Sequence, residues 1–399
     1  MGDDSQDIEQ GSEQAAEETL DTTDVDRWVG VPLGGGRMKD PVATNDVRRW
    51  VQGVQNPNPL YYDEEYAAES RFGGIVAPQS FAVCTDDSHG AGPAIQGNIP
   101  GQHMLFGGDE WWFDGPRIRP GDKIRQDRML FDYKVTETKF AGPTMFSRGD
   151  TNYVNQVGET VCKQRSTSIR YVAAEAVKRA AFMDIPEKEW NDNELEELEK
   201  KKFEYFQDFL ELGHDKRQFV KVGDSLGLRP IGPHTIASFT TEWRGFMMSI
   251  WGTFKREGPT SLWSAGWLPE MDRDHEGAEI DPSLADGLYK GPSRGHVQKR
   301  YAELIGMPRG YGYGATMGAW IIDYLTNWGG EWSEVVHSKM SYRSPALIGD
   351  ATYLSGEVTQ IGFEPETGSP IATVNVTMTN QREEIMASGD AEIRLPNPD

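Results

Sequence analysis

One stretch of the chain combines a histidine with a helix start that could stabilise negative charge. His296 precedes a short helical segment, and a glycine-rich turn follows at residues 310–314. After the turn, apolar residues recur near every 3.6 positions, which predicts a helix over residues 315–328. The first N–H groups of a helix lack intrahelical acceptors and carry the positive end of its dipole. An imidazole beside such donors could transfer a proton while they hold an oxyanion.

Residues around the turn supply further candidates for this chemistry. Gly314 can offer its backbone N–H to an oxyanion, and Tyr311 and Tyr313 place phenol groups beside it. A histidine that moves protons often works with a carboxylate. Asp286 is our candidate, because it precedes His296 in a long segment without clear periodicity. The alternatives are a polar helix start for His296, packing for the tyrosines and an ordinary polar loop for Asp286.

Metal and nucleotide sites find no support in the sequence. The histidines and cysteines lack the spacing of metal ligands, so we predict no metal site and no cofactor. The glycine-rich pieces do not follow the strand, turn and helix pattern of a phosphate-binding motif. Cys84 and Cys162 cannot form a disulfide framework, and we interpret both as small buried residues in a reducing compartment.

Length and composition indicate a protein of two domains. A chain of 399 residues suits two domains, and 37% hydrophobic residues with 12 Trp can build their cores. Runs of about eighteen apolar residues and the features of a signal peptide are missing, so we expect a cytoplasmic protein without a membrane partner. The formal net charge of −23 at pH 7 also argues against nucleic acid as the main partner.

Changes in pattern divide the chain into segments. Residues 1–26 are acidic with few large apolar side chains, which predicts a disordered tail. Residues 27–173 form the N-terminal domain. Its central helix should end in a polar, glycine-rich loop between residues 79 and 100, and four strand-like runs follow at 104–113, 123–140, 144–154 and 160–172. Residues 174–218 predict a charged helical linker. Residues 219–399 repeat the pattern, interrupted by an expanded loop at 251–294 that we predict to be a lid.

Motifs of the N-terminal domain resemble those of a known family. The sequence has N-P-L at residues 58–60, D-x-x-Y-A at 63–67 and G-G-I-x-A-P at 73–78. This resembles the N-terminal, fatty-synthase-like half of double hot-dog dehydratases. Asn56 then stands at the position of the family's acid and Tyr61 at that of its histidine. The resemblance implies a catalytically degenerate half in which Asn56 and Tyr61 help to hold the substrate.

The second half resembles the MaoC-like hot-dog hydratases and dehydratases. His296, Gly306 and Gly314 fit the histidine, the short helix and the glycine turn of that group. Its acidic residues would fall at Gly291 and Gln298, and neither is an acid. The resemblance assigns acid/base chemistry to His296 and an oxyanion contact to the N–H near Gly314.

The resemblance implies an α+β fold with two hot-dog domains in one chain, each an antiparallel sheet around a central helix. It also implies interconversion of a 2-enoyl thioester and a 3-hydroxyacyl thioester, carried by coenzyme A or an acyl carrier protein. A homodimer of double hot-dogs is a further expectation. One alternative is a non-catalytic acyl-thioester-binding partner subunit, which the missing acids favour. A hot-dog thioesterase is the lesser alternative, because the first acids on the central helices are Asp86 and Asp323.

Overall fold

The computed structural model describes residues 20–34, 36–38, 40–86, 88–246, 254–255 and 294–397. The strands are β1 (Pro32–Leu33), β2 (Arg37–Met38), β3 (Gln102–Trp112), β4 (Arg125–Thr138), β5 (Gly142–Val154), β6 (Thr160–Val172), β7 (Ser225–Ile231), β8 (Phe254–Lys255), β9 (Glu334–Tyr342), β10 (Thr352–Phe363), β11 (Pro370–Asn380) and β12 (Ile385–Arg394). The helices are α1 (Thr23–Asp26), α2 (Thr44–Gly53), α3 (Glu64–Glu69), α4 (Ala173–Arg179), α5 (Asp192–Leu212), α6 (Ile236–Gly245), α7 (Lys299–Glu303) and α8 (Gly314–Gly329).

The strands form one large sheet, in which the described strands pair antiparallel. Its order is β7-β10-β11-β12-β9-β3-β6-β5-β4-β2-β8, and β1 pairs with β4. The two halves of the chain meet where β3 pairs with β9, over a register from Gly108 opposite Ser341 to Trp112 opposite His337. On either side of this seam the strands follow the same order read outward, β9-β12-β11-β10 and β3-β6-β5-β4. The α+β architecture is therefore confirmed.

Helix α8 lies in the middle of the core, and each residue from Ala315 to Gly329 is buried. A helix that is apolar on all sides must be covered on all sides. Strands β3, β7 and β9 pack on it, as does the 3₁₀ helix Gln79–Thr85. That 3₁₀ helix occupies the place where the sequence predicts the central helix of the first half. The first half therefore contributes only a short segment beside α8.

A buried arginine ties α8 to the end of α2. The Arg229 side chain is 1% exposed, and it donates hydrogen bonds to the carbonyl oxygens of Trp320 at 2.8 Å, Gln55 at 3.1 Å and Val54 at 3.3 Å. Its positive charge also lowers the pKa of Asp323, although burial raises that pKa to about 6 overall. A guanidinium in this position is stable because carbonyl oxygens replace its hydration.

The last residues of the predicted disordered tail, which ends at residue 26, form a helix that packs on the first half of the sheet. Residues 1–19 lie outside the described residues. Thr23–Asp26 form helix α1, in which Val25 is fully buried in a cluster with Ile99, Leu130 and Met145. Residues 20–26 thus differ from the predicted disordered tail, because Val25 packs in this cluster and Asp24 and Asp26 accept hydrogen bonds from Asn98 N–H and the Tyr133 hydroxyl. The tail boundary at residue 26 remains a prediction.

Two helices, α4 and α5, lie within the segment predicted as a charged linker. Helix α5 buries Leu198, Tyr205 and Phe209 and packs against β7. The domain boundaries at residues 173 and 219 remain predictions. Apart from the two residues of β8 and Arg294, the loop at 251–294 lies outside the described residues.

We expect Arg229→Ala to lower the free energy of unfolding by about 3 kcal/mol, since the variant leaves buried carbonyl groups without a donor. Chemical denaturation followed by tryptophan fluorescence measures the change. Arg27→Ala is the matched control: Arg27 is exposed and pairs with Asp24 at 3.3 Å, so its loss should cost less than about 0.5 kcal/mol. Equal stability of the two variants would contradict the role assigned to Arg229.

Candidate active site at the N-terminus of the central helix

A backbone hydrogen bond determines which nitrogen of His296 is available for proton transfer. Its Nδ1 lies 2.6 Å from the carbonyl oxygen of Tyr311. Because a carbonyl oxygen only accepts, Nδ1 carries the proton, and Nε2 is left with its lone pair. The tautomer required of a general base is therefore present in the structure.

The environment of His296 keeps its imidazole neutral. Its ring stacks on Tyr313, with centroids 3.9 Å apart and an interplanar angle of 29°. Burial lowers the pKa of His296 to about 4; its hydrogen bond to Tyr311 opposes the shift, and the charges of His103 and His89 add to it. A base with this pKa is unprotonated at neutral pH.

His103 and His89 come from the first half of the chain and are not among the predicted site residues. His103 lies on β3, with its Nε2 3.5 Å from the Tyr311 hydroxyl. His89 stacks with Phe246, with ring centroids 4.1 Å apart, and faces the edge of Tyr313. Nothing in the local sequence around either histidine indicates this proximity, because it arises only when the halves pack together. Among the described residues, no cluster of three His, Cys, Asp or Glu side chains could hold a metal ion.

The glycine-rich turn is held in place by the segment that follows β9. Gly312 N–H donates to Ala346 O at 2.8 Å, and Ile348 N–H donates to Gly310 O at 2.9 Å. A Cβ on Gly310 would lie 2.5 Å from the carbonyl oxygen of His296, so the turn requires glycine for close approach. This packing holds the turn beside the histidine.

Helix α8 begins at Gly314, where the sequence predicts an oxyanion contact. A Cβ at Gly314 would lie 2.2 Å from Cβ of Phe106, so the absence of a side chain lets β3 approach the helix start. The N-cap residue, Tyr313, makes no capping hydrogen bond with its side chain. The first N–H groups of α8 thus lie beside His296 without a side-chain cap from that residue.

A buried carboxyl group that is not among the predicted site residues faces the same helix start. Glu242 of α6 is 1% exposed. Interactions with the Thr316 hydroxyl and the Tyr313 N–H lower its pKa, but burial is the larger effect and raises the pKa well above the ordinary value. A sequence signal did exist: Glu242 lies three positions after Phe239 and four before Phe246, on what is otherwise an apolar helix face.

Asn56 and Tyr61 lie at the opposite end of α8. Asn327 Nδ2 donates to Asn56 Oδ1 at 3.2 Å, and Tyr61 interacts with Thr326 and Arg117. Asn327 is thirteen residues after Gly314, a separation of about 20 Å along a helix. The structure therefore does not bring Asn56 and Tyr61 together with His296, and a substrate-holding role for them stays a prediction about a separate location.

The other predicted acids do not join His296 in the described structure. Asp286 lies outside the described residues. Asp323 is in the third turn of α8, where its Oδ1 accepts from Ser80 Oγ at 2.6 Å. Asp86 accepts hydrogen bonds from Ser88 and Gly90 within its own turn.

A basic groove opens on the other side of α6. It has a volume of about 920 Å³, and its lining includes Arg48 and Arg49 of α2 with Thr241 and Arg244 of α6. Arg48 pairs with Glu64 at 2.9 Å, and Arg49 pairs with Asp46 at 3.2 Å. Among the described residues, Arg244 has no ion pair within 4.0 Å. The groove thus concentrates positive charge on a chain whose formal net charge is −23.

Comparison with known proteins gives matches in sequence and in fold. Residues 27–164 match the family model described as "FAS1-like, dehydratase domain region". A curated relative from Thermomonospora curvata, named "Probable enoyl-CoA hydratase alpha subunit", is 27% identical over 159 residues. That alignment covers 36% of this chain and 50% of the relative, so the chain spans about half the length of the relative that it matches.

Solved structures share the architecture over nearly the whole chain. A protein titled "MaoC-like dehydratase" has a TM-score of 0.57 at 17% identity, covering 93% of this chain and 99% of the other. A MaoC-like dehydratase from Phytophthora capsici has a TM-score of 0.52 at 10% identity, with coverage of 94% and 100%. At these identities the likeness concerns the fold alone. Among the described residues, no helix is long and apolar enough to cross a membrane. The dehydratase-region match and the hydratase-subunit relative are similarities in sequence, and together with the shared architecture they support a relationship to the MaoC-like hot-dog proteins.

Proposed function

We propose that this protein interconverts a 2-enoyl thioester and a 3-hydroxyacyl thioester at His296. The observation that carries the proposal is the hydrogen bond from His296 Nδ1 to the carbonyl oxygen of Tyr311, at 2.6 Å. It leaves a neutral Nε2 as the base, next to the first N–H groups of α8. A base and oxyanion donors side by side are what addition of water to an activated double bond requires.

The chemistry follows from these groups. His296 Nε2 removes a proton from a water molecule while the water oxygen bonds to C3 of the enoyl thioester. The electron pair of the double bond moves toward the thioester carbonyl, and the N–H groups near Gly314 stabilise the resulting enolate oxygen. A proton from an acid in the site then bonds to C2, and the proton on His296 passes through water to restore that acid, so that one water is added across the double bond. Dehydration is the same path in reverse.

We also propose that the chain is a double hot-dog, with the two domains at 27–173 and 219–399. The matching strand order on either side of the β3–β9 seam supports this interpretation. In it, α8 belongs to the C-terminal domain, and the N-terminal domain contributes His89 and His103 beside His296. The cytoplasmic location and the homodimer remain predictions from the sequence.

The arginine side chains in the groove between α2 and α6 favour a substrate whose thioester is carried by a group that contains phosphate. Coenzyme A and the prosthetic arm of an acyl carrier protein both carry phosphate, and arginine is well suited to bind it. Arg244 is the side chain best placed for this role, because Arg48 and Arg49 already pair with carboxylates. The phosphates would bind there while the thioester reaches the N-terminus of α8.

The second candidate function is that of a non-catalytic acyl-thioester-binding subunit. Gly291 and Gln298 at the family's acid positions favour it. The curated relative is itself named as a subunit of an enoyl-CoA hydratase. A thioesterase remains less favoured, since Asp323 lies in the third turn of α8 and already binds Ser80. Steady-state assays separate the three functions. A hydratase converts enoyl and 3-hydroxyacyl thioesters, a thioesterase hydrolyses saturated thioesters, and a binding subunit converts none of them.

We expect His296→Ala to reduce hydration of an enoyl thioester by about a hundredfold to ten-thousandfold, the usual cost of losing a positioned acid or base. Thermal stability should change little, because His296 lies in the short 3₁₀ turn Arg294–His296, outside the helices and strands. His337→Ala is the matched control. His337 lies on β9, with its Nε2 3.1 Å from Glu110, and its loss should leave the rate within about threefold. Near-full activity of His296→Ala would falsify the assignment of His296 as the base.

The pH profile gives an independent test of His296. Protonation of Nε2 abolishes the base, so kcat/KM should fall as the pH drops through the pKa of His296, about 4. The rate should therefore stay level through the ordinary histidine value of 6.5. Residual activity of His296→Ala should lack this acidic limb. A wild-type limb near 6.5 instead would contradict the buried, neutral imidazole.

We expect Arg244→Ala to raise KM for a coenzyme A thioester by about tenfold with kcat nearly unchanged, as befits a charge that binds both ground state and transition state. Added salt should reduce the difference. The control is the same acyl group on pantetheine, which has no phosphate, and its KM should be equal in the variant and the wild type. A similar KM increase for both substrates would refute phosphate binding in this groove.

A further inference from the structure

Glu242 is a buried acid whose carboxyl group makes no well-aligned hydrogen bond within the described part of the chain. Among the described residues, neither oxygen of its carboxyl group has a donor in hydrogen-bonding geometry. The Tyr313 N–H and the Thr316 hydroxyl are donors near enough to lower its pKa, against the larger effect of burial. Burying a polar group without a partner costs free energy, so such a group requires an explanation beyond packing.

Glu242 lies on the face of α6 that packs against the glycine-rich turn at residues 310–314. At one end of this face, the Phe239 ring packs against Gly312. The contact is so close that a Cβ added to Gly312 would lie 2.9 Å from the ring. At the other end, Phe246 contacts Tyr313, with ring centroids 5.8 Å apart. Glu242 lies between these two on the same helical face. Its carboxyl group therefore meets the start of α8 on the side of Tyr313, the residue on which His296 stacks.

This location is close to where C2 of a substrate must lie. The enolate oxygen would bind the first N–H groups of α8, and C2 is only two bonds from that oxygen. A group beside these donors is therefore within reach of C2, whereas His296 approaches C3 through water. Addition of water to the double bond requires a base that activates water at C3 and an acid that delivers a proton to C2.

We propose that Glu242 is the proton donor that partners His296, entering the site from α6 in place of the acid that Gly291 and Gln298 lack. This inference rests on the proposed function. In the hydration direction the O–H bond of the Glu242 carboxyl group breaks and its proton bonds to C2, using the electron pair of the enolate. Glu242 becomes a carboxylate, and His296 becomes an imidazolium with the proton taken from water. Transfer of that proton to Glu242 through a water molecule restores both groups.

The protonation state that this step requires agrees with the environment of Glu242. Burial raises its pKa well above the ordinary value, so the carboxyl group is protonated at neutral pH. Buried protonated carboxyl groups are known to act as donors in enzyme sites. His296 is neutral under the same conditions, which gives the site one acid and one base at the start of each turnover.

Glu242→Gln is the variant that tests this proposal. The amide keeps the shape of the side chain but has no acidic proton, so kcat for hydration should fall by about a hundredfold or more. The melting temperature should stay level or rise, because the amide cannot ionise in its buried position. Glu242→Asp should retain more activity than Glu242→Gln, since it keeps the proton.

Asp323→Asn is the matched control, because Asp323 is also a buried acid facing the core from α8, with a pKa raised to about 6. Its amide can still accept from Ser80, and kcat should stay within about threefold of wild type. If Glu242→Gln is equally active while His296→Ala is inactive, the assignment of Glu242 is overturned and the proposed function stands. If the wild-type protein hydrates no enoyl thioester, both are overturned.

Infrared spectroscopy provides a readout that does not depend on activity. Above the pKa values of about 6 for Asp109 and Asp323, a protonated carboxyl band should remain and should disappear in Glu242→Gln. Stability gives the second readout. A raised pKa stabilises the fold below the unfolded pKa of Glu242, and this contribution is lost as the pH rises through the folded pKa. The wild type should therefore lose stability in alkali relative to Glu242→Gln. An unchanged spectrum in the variant would overturn the proposal.

Discussion

The burial of α8 is the constraint on which the rest of the structure depends. Each residue from Ala315 to Gly329 is buried, so water cannot satisfy the polar groups at either end of this helix. The orphan N–H groups of the first turn and the orphan carbonyl groups of the last turn must find partners in the protein or in a ligand. The two ends of α8 differ in their partners. Protein side chains bind the carbonyl groups at the C-terminus, whereas the N-cap residue makes no side-chain hydrogen bond to the N–H groups at the N-terminus.

Protein donors bind three of the last four carbonyl groups of α8, those of Thr326, Trp328 and Gly329. Arg217 donates to Trp328 O, and Ser333 Oγ donates to Gly329 O at 2.7 Å. Gly330 N–H donates to Thr326 O at 3.0 Å, and a cation beside the negative end of the dipole adds stability. The N-terminus differs, since its N-cap side chain makes no capping hydrogen bond. An end of this kind can receive an oxyanion, and in the proposed function that is the enolate of the substrate.

Electrostatics at the open end of α8 follow from the same burial. Desolvation favours the neutral form of every titratable group, so it lowers the pKa of His296 to about 4 and raises that of Glu242. One physical effect thus produces an unprotonated base and a protonated acid at one pH. The basic groove lined by Arg48, Arg49 and Arg244 lies outside this dry region, where a solvated phosphate can pair with guanidinium groups without a large desolvation cost.

The sequence by itself determined the helix of α8, the long strands and His296 as the candidate base, because periodicity, turn residues and a histidine before a glycine turn are local signals. Only the tertiary structure decided which residues accompany His296. His89, His103 and Glu242 are distant from it along the chain. His89 and His103 come close enough to influence the pKa of His296, and Glu242 reaches the start of α8, whereas Asn56 and Tyr61 are carried to the other end of that helix. Val25 shows the same limit, since its burial needs partners from β4 and β5. Contacts between distant segments depend on how elements pack in space, and no local pattern of residues encodes that arrangement.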